Sequence, residues 1–566
     1  MNLKTISSFT RPILVLLILF SCSGKKDKFQ LNSELESLDL LKGDVTLCGS
    51  GTDQLGKVTF GLSCSEKVRS NFNLAITLLH SFEYPDAEKA FAKAIDEDPE
   101  CIMAYWGAAM SNFHPLWMPP NAIELEKGSK IIALARSINK DKSSRESAYL
   151  EAIATIYDQW NILDHGTRVL KFEKASQKIF EDYPDDHEAG IFYALALNAA
   201  ADPTDKTFQN QKKAVDILSA IFVNEPDHPG VAHYIIHNYD YPELAELALP
   251  AAKRYASIAP ASAHAQHMPS HIFIRLGLWD ESIRSNKNSV EAAQCHAQNS
   301  GINGHWDEEL HGLDYLIYSY LQQANDDKAL EQILYLKSIK AVFPQNFKVA
   351  YSFASMPARY ALERKDWVAA ANLELKPDDF PWDQFLWEKT NMNFGRLLGA
   401  AHTNKLNDAR KELEQLQSIH DNLKQANENY KANLVHIQIK ASEAWIKLKE
   451  GQKVQAIILM TEAADMEDAT AKHPVTPSEL IPARELLGDM YMEIGDYTHA
   501  LNAYEMDLKQ HPNRFNGLYG AGLALEKLGD NEKASSYYKQ LRAMTNSSVN
   551  NRPYMADIES FLNNNN

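Results

Sequence analysis

The chain reads as an all-α protein, an α-solenoid of helix–turn–helix repeats. Three observations carry that reading. Two histidine pairs, His233/His237 and His267/His271, recur 34 residues apart, and Pro226 and Pro260 ahead of them keep the same spacing; a fixed period of roughly 20–50 residues is the signature of stacked repeats. Small residues, an apolar or aromatic residue and a closing proline recur at constant offsets, as in Ala214, Leu218, Ile221, Pro226 and again Ala248, Ala252, Tyr255, Pro260. No alternating apolar pattern is long enough for a sheet. At 566 residues the chain is too long for one compact core, whereas an array grows without one.

Taken in order, the first 21 residues read as a signal peptide. Lys4 and Arg11 supply the positive region, and Ile13 to Phe20 form an apolar run too short to span a membrane. The run ends in Leu19-Phe20-Ser21-Cys22, which resembles the lipobox of bacterial lipoproteins, so Cys22 is the expected acylated residue and 22–45 a flexible tether. Several acyl chains anchor a protein stably where one does not. This places the protein in a bacterial cell envelope, on the outer membrane or facing the periplasm. Export implies an oxidising compartment, where the remaining Cys48, Cys64, Cys101 and Cys295 can pair. Cys64 precedes the first helix of one repeat and Cys101 starts the next, so Cys64–Cys101 is the preferred disulfide. Cys48–Cys64 is the rival pairing, and Cys295, within a helical segment, is expected to be a buried thiol.

A period of 34 residues is that of the tetratricopeptide repeat. Residues 46–320 are expected to form an N-terminal array of such units, starting with Leu74, Ala75, Leu78, Ala87, Phe91, Ala94 and Pro99. Pro115, Pro119 and Pro120 open an irregular helical insertion near 113–170. A C-terminal array spans 321–545. Its clearest unit is Leu487-Gly488, Tyr491, Gly495, Tyr497, Ala500, Tyr504 and Pro512, followed by Gly522, Leu525, Gly529, Ala534 and Tyr538. The tail, 546–566, is expected to fray apart from a short helix around Met555 to Leu562. SCSEKVRSNFNLAITLLHSFEYPDAEKAFAKAIDEDPECIMAYWGAAMSNFHPLW, HYIIHNYDYPELAELAL with HAQHMPSHIFIRLGLWDES, and HPVTPSELIPARELLGDM together resemble a family of large bacterial tetratricopeptide-repeat lipoproteins. The resemblance implies the repeat fold and supplies no catalytic residue.

Histidines four apart share one helix face, and first helices of such units line the concave side of the array. Counted from each unit's implied start, His233 and His267 are fifth and His237 and His271 ninth. A unit starting at Leu310 puts Asp314 fifth and Tyr318 ninth. His264 and His311 fall second, Asp240 and Arg275 lie a turn further on, and Arg359 is ninth in a later unit. Imidazoles four apart can chelate one ion, with a carboxylate such as Asp314 from the next helix completing the set. Zinc, copper or iron suits such ligands, calcium and magnesium do not. The alternative is a metal-free polar groove in which the same histidines hydrogen-bond one another or a bound peptide. Pro269 between His267 and His271 is the feature most able to re-aim the pair. His80 and His114 are read as packing residues.

No H-E-x-x-H, G-x-S-x-G or Walker loop is present, so the commonest protease, esterase and nucleotide signatures are absent. Net charge is −18 and no basic stripe is visible, which argues against a nucleic-acid partner. The first expectation is an exported, lipid-anchored scaffold whose concave groove binds a peptide, protein segment or small ligand. The second is a metal-binding protein or metallohydrolase using the histidine-rich face.

Overall fold

The computed structural model describes residues 33–48, 54–116, 118–140, 144–203, 205–545 and 552–565; the signal peptide and Cys22 lie outside them. Antiparallel helix pairs follow one another along the chain. The first four are Arg69–His80 (α1) with Tyr84–Glu97 (α2), Ile102–Met110 (α3) with Ala122–Ile138 (α4), Arg145–Tyr157 (α5) with His165–Asp182 (α6), and His187–Ala199 (α7) with Gln209–Phe222 (α8). The stretch at 113–170, expected as an insertion, therefore supplies the second helix of one pair and starts the next. Its prolines only lengthen a connector.

Three pairs carry the histidines. They are Pro229–Asn238 (α9) with Ala245–Ile258 (α10), the two-part helix Ala263–His267 (α11) and Pro269–Arg275 (α12) with Trp279–Asn299 (α13), and Asp307–Gln322 (α14) with Asp326–Ser338 (α15). The array continues with Phe347–Glu363 (α16), Trp367–Ala371 (α17), Leu386–His402 (α18), Leu406–Gln425 (α19), Asn429–Lys449 (α20) and Lys453–Asp468 (α21). It ends in Ala483–Ile494 (α22), Tyr497–Gln510 (α23), Phe515–Leu528 (α24), Asn531–Thr545 (α25) and the cap Pro553–Asn564 (α26). Among the described residues the strands are two-residue pieces, His305–Trp306 (β1) and Val342–Phe343 (β2), paired in parallel. None of the described helices is long and apolar enough to cross a membrane.

Glycines set how closely the helices cross. A Cβ on Gly488 would lie 2.6 Å from the Tyr504 ring, and one on Gly520 would lie 2.3 Å from it. The ring fills the notch that the two glycines leave, close packing of the kind protein interiors require. Two disulfides brace the array. Cys64 joins Cys101, with Cα atoms 5.1 Å apart. Cys48 joins Cys295, 5.9 Å apart, which corrects the expectation of a buried thiol. Sequence periodicity places Cys295 on α13 correctly but cannot bring the extended N-terminal segment alongside it.

The superhelix is tight enough to close on itself. Helix α9 packs against α1, and the His80 ring bonds to Tyr234 at 3.0 Å. Further along, the Trp279 indole N–H donates to the Asn513 carbonyl at 2.9 Å. The segment between α21 and α22 enters the middle of the molecule. There Arg359 donates to the carbonyls of Glu479 and Ser478 at 2.8 and 3.3 Å. First helices consequently lose their open side: every residue of α9 is buried. Along α9 the expected concave groove is an interior filled by the chain itself.

Candidate functional site

Helices α9, α11, α12 and α14 bring six histidines into that interior. His233 and His267 are fully buried, and His237, His271 and His311 retain 8%, 3% and 6% of their surface. Met268 keeps helical dihedrals, φ −52° and ψ −37°, so the break ahead of Pro269 costs a hydrogen bond without turning the helix. His267 and His271 stay on one face, Nε2 to Nε2 at 3.1 Å.

The rings form two adjoining triads, His233/His237/His264 and His267/His271/His311. Within each triad one ring nitrogen per residue lies within 4.8 Å of the others. In the first, His233 Nε2 is 2.8 Å from His237 Nε2 and 3.1 Å from His264 Nε2. The triads meet where His237 and His271 rings come within 6.3 Å, and His264 and His267 within 6.5 Å. Burial, reinforced by the neighbouring imidazoles, holds His233, His237, His267 and His311 well below the ordinary imidazole range. For His271 burial also lowers the value, against the pull of Asp240. These rings are neutral at pH 7, the state in which imidazole ligates metals.

The outer nitrogens are held by acceptors, and this fixes the tautomers. His233 Nδ1 contacts the His80 carbonyl at 2.6 Å, so it carries the proton and leaves Nε2 as a lone pair. His271 Nδ1 donates to Asp240 Oδ2 at 2.9 Å. His267 Nδ1 donates to Asn286 Oδ1 at 2.7 Å, the oxygen being identified because Asn286 Nδ2 donates to the Ser282 carbonyl at 2.8 Å. His267 and His271 therefore direct two lone pairs at each other across 3.1 Å. The Tyr315 hydroxyl, 3.4 Å from His271 Nε2, offers a long hydrogen bond to one of them. A shared proton or a metal ion between the rings would relieve this contact. Imidazoles whose far nitrogen donates to a carboxylate or carbonyl are the usual form of metal-ligating histidine.

Charged groups surround the triads. Burial would raise Asp240, but Lys472, Arg275 and the bond from His271 outweigh it and hold the carboxyl well below its usual range. Arg275 Nε donates to Asp240 Oδ1 at 2.9 Å, and Lys472, pushed down to about 8 by burial, lies 3.8 Å from Oδ2. On the other side Glu308 is paired with Lys348. Its Oε2 is buried without a hydrogen bond, 3.9 Å from His264 Nδ1. Phe82, in the left-handed region at φ 59°, sets its ring 4.4 Å from His233 and 5.5 Å from His237. Left-handed backbone at a bulky residue is strained and tends to occur at functional sites.

The remaining sequence candidates lie elsewhere. Asp314 is outside both triads: Ser355 Oγ donates to it at 3.3 Å and Arg359 Nε is 4.0 Å away. Tyr318 lies beneath the Arg359 and Arg514 guanidinium groups, and its hydroxyl accepts from Arg514 at 3.3 Å. Arg359 pins the central segment rather than facing a groove. The misplacement of Asp314 has a simple cause. Helix α14 starts at Asp307, three residues before Leu310. Counted from Asp307, the fifth and ninth positions are His311 and Tyr315, and the second is Glu308, matching His264 in the preceding unit. Asp307, Glu308 and Glu309 form an acidic first turn, the signal that marks this start. His80, expected to be a packing residue, joins a third cluster with Glu188 and His228. There both Glu188 oxygens accept from imidazole Nε2 atoms, at 2.9 and 3.0 Å.

Residues 483–514 match the tetratricopeptide repeat family. The chain carries a tetratricopeptide repeat. This stretch is α22 with α23, including Gly488 and Tyr504. No curated protein matches the chain. Among solved structures it is similar to a monomeric mutant of IFIT1 with m7Gppp-AAAA, at 11% identity and a TM-score of 0.34, covering 91% of this chain and 100% of that one. So low a score carries no argument about site or ligand. Tetratricopeptide repeats imply a protein-interaction scaffold.

Proposed function

We propose that this repeat scaffold is an exported, lipid-anchored metalloprotein that holds a transition metal on the buried histidines. The observation that carries the proposal is the His267–His271 contact, in which anchored Nδ1–H groups leave two lone pairs 3.1 Å apart. A transition-metal ion accepts both, and imidazole donors suit zinc, copper or iron. Neutral rings and outer acceptors on His233, His267 and His271 support the same reading. Burial of α9 and entry of the central segment weigh against a peptide lying in this part of the concave face. The N-terminal Leu19-Phe20-Ser21-Cys22 supports the lipid anchor.

Elemental analysis of untagged protein, purified without chelators, tests the proposal. At least one equivalent of a transition metal per chain is expected, and the ion on His267 and His271 is lost when both are replaced by alanine while helicity is kept. Metal-free protein that takes up no zinc, copper or iron on incubation would overturn it.

A further inference from the structure

The site offers twice as many imidazoles as one ion needs, and their arrangement divides them. Three rings on one ion, with nitrogen at ~2.0 Å, place their centroids about 5 Å apart. In the first triad the centroids are 4.6, 5.0 and 6.1 Å apart, and in the second 5.0, 4.2 and 6.4 Å. Both sets bracket the expected spacing. The nearest rings of different triads, at 6.3 and 6.5 Å, are as far apart as the widest pair within one. Resting on the metal-binding reading above, we infer that the interior holds a pair of copper ions, one on His233, His237 and His264 and the other on His267, His271 and His311.

Each triad takes two ligands from one helix and its third from a residue outside the repeated pairs. His264 closes the first and His311 the second. The first triad can admit an ion by moving protons within its rings. Without metal, His237 or His264 can donate Nε2–H to the single His233 lone pair, across 2.8 or 3.1 Å. When copper takes the three Nε2 atoms, the His264 proton belongs on Nδ1. There the buried, unbonded Glu308 Oε2 waits 3.9 Å away. A small ring rotation closes that gap and gives His264 the carboxylate partner that Asp240 already gives His271.

Charge and ligand number select the metal. Each triad offers three imidazole nitrogens, donors that suit copper and zinc alike. Asp240, Asp307 and Glu308 stand against Arg275, Lys348 and Lys472, and Glu479, which also acts on Arg275 and Lys472, is paired with His511, so the surroundings carry little net positive charge before any ion enters. Two zinc ions would add four charges to this interior, and two monovalent copper ions only two. Buried charge is costly, and zinc also asks for a fourth ligand. Three-coordinate Cu(I) halves the added charge and needs no fourth ligand.

Anaerobic titration of the chelator-stripped full chain with Cu(I), against a chromophoric Cu(I) chelator, decides the matter; a parallel titration uses Zn(II). Two Cu(I) per wild-type chain are expected. One per chain is expected for His264→Gln and one for His311→Gln, with helicity unchanged. Equimolar Zn(II) should displace neither ion. One Cu(I) per wild-type chain overturns the pair but leaves a metalloprotein. Displacement of both ions by Zn(II) overturns the choice of copper, and no uptake of either metal overturns the metal-binding reading itself. The wild-type stoichiometry stands whether or not the variants fold.

Discussion

Asp240→Asn removes one negative charge from the centre of the molecule and nothing else of size. In the native protein that carboxylate accepts from His271 at 2.9 Å and from Arg275 Nε at 2.9 Å, and faces Lys472 at 3.8 Å. An amide has one accepting oxygen, so it serves either His271 or Arg275, and it offers Lys472 no counter-charge. Two buried cations lose their nearest anion, with Glu479 left acting on both. Breaking a buried charge pair from one side costs ~3–5 kcal/mol, a large part of a typical stability of about 5–15 kcal/mol. Denaturant unfolding of the metal-free variant, followed by circular dichroism, should show that loss. Adding Lys472→Met should recover part of it by removing the second cation. The same substitution leaves His271 without its orienting acceptor, and loss of such a partner weakens metal affinity by roughly 10–100-fold. Affinity should fall for the ion on His271 and not for one on His233. Stability within about 0.5 kcal/mol of wild type, together with unchanged metal affinity, would refute the reasoning.

Replacing Cys64 and Cys101 with serine opens a cross-link of sequence separation 37. It should cost ~2–4 kcal/mol in denaturant unfolding, with hydrogen exchange rising most in α1 to α4 because repeat stability is largely nearest-neighbour. Metal retention should depend on pH with a defined sign. Burial keeps the folded imidazoles of His233, His237, His267 and His311 neutral below the unfolded value of 6.5. Equilibrium dialysis should therefore find metal held at pH 7.5 and released only at a pH below 6.5, as protons displace it; release above 6.5 would contradict the burial argument. Cys22→Ala should move the protein from the membrane fraction to a soluble or unprocessed form, and native protein with no acyl mass on its N-terminus would contradict the anchor.

The solenoid was legible because its signals are local and repeated. Small residues at helix crossings, Tyr504 behind Gly488, Tyr538 behind Gly522, and closing prolines recur in fixed register. The HxxxH pairs were legible for the same reason: four residues is one helical turn. The third ligand of each triad was only half legible. His264 and His311 could be placed near the face, but α13 is 21 residues long and a connector follows it, so the next unit does not start 34 residues on. With the period lost, a start placed at Leu310, three residues after Asp307, selects Asp314 in place of His311. Closure of the superhelix was not legible, since it depends on small rotations summed over several units. It alone brings Phe82 and the His80 carbonyl from α1's C-terminal end to His233, and Lys472 to Asp240. The bond between Cys48 and Cys295, 247 residues apart, is of the same kind.

X-ray absorption at the metal edge, on protein as isolated, reads the ligands of the ion directly. The account predicts a first shell of nitrogen at ~2.0 Å with the outer-shell pattern of imidazole rings, and less metal per chain when His267 and His271 are replaced. A shell dominated by sulfur or carboxylate oxygen, or metal content unchanged by that replacement, would contradict it.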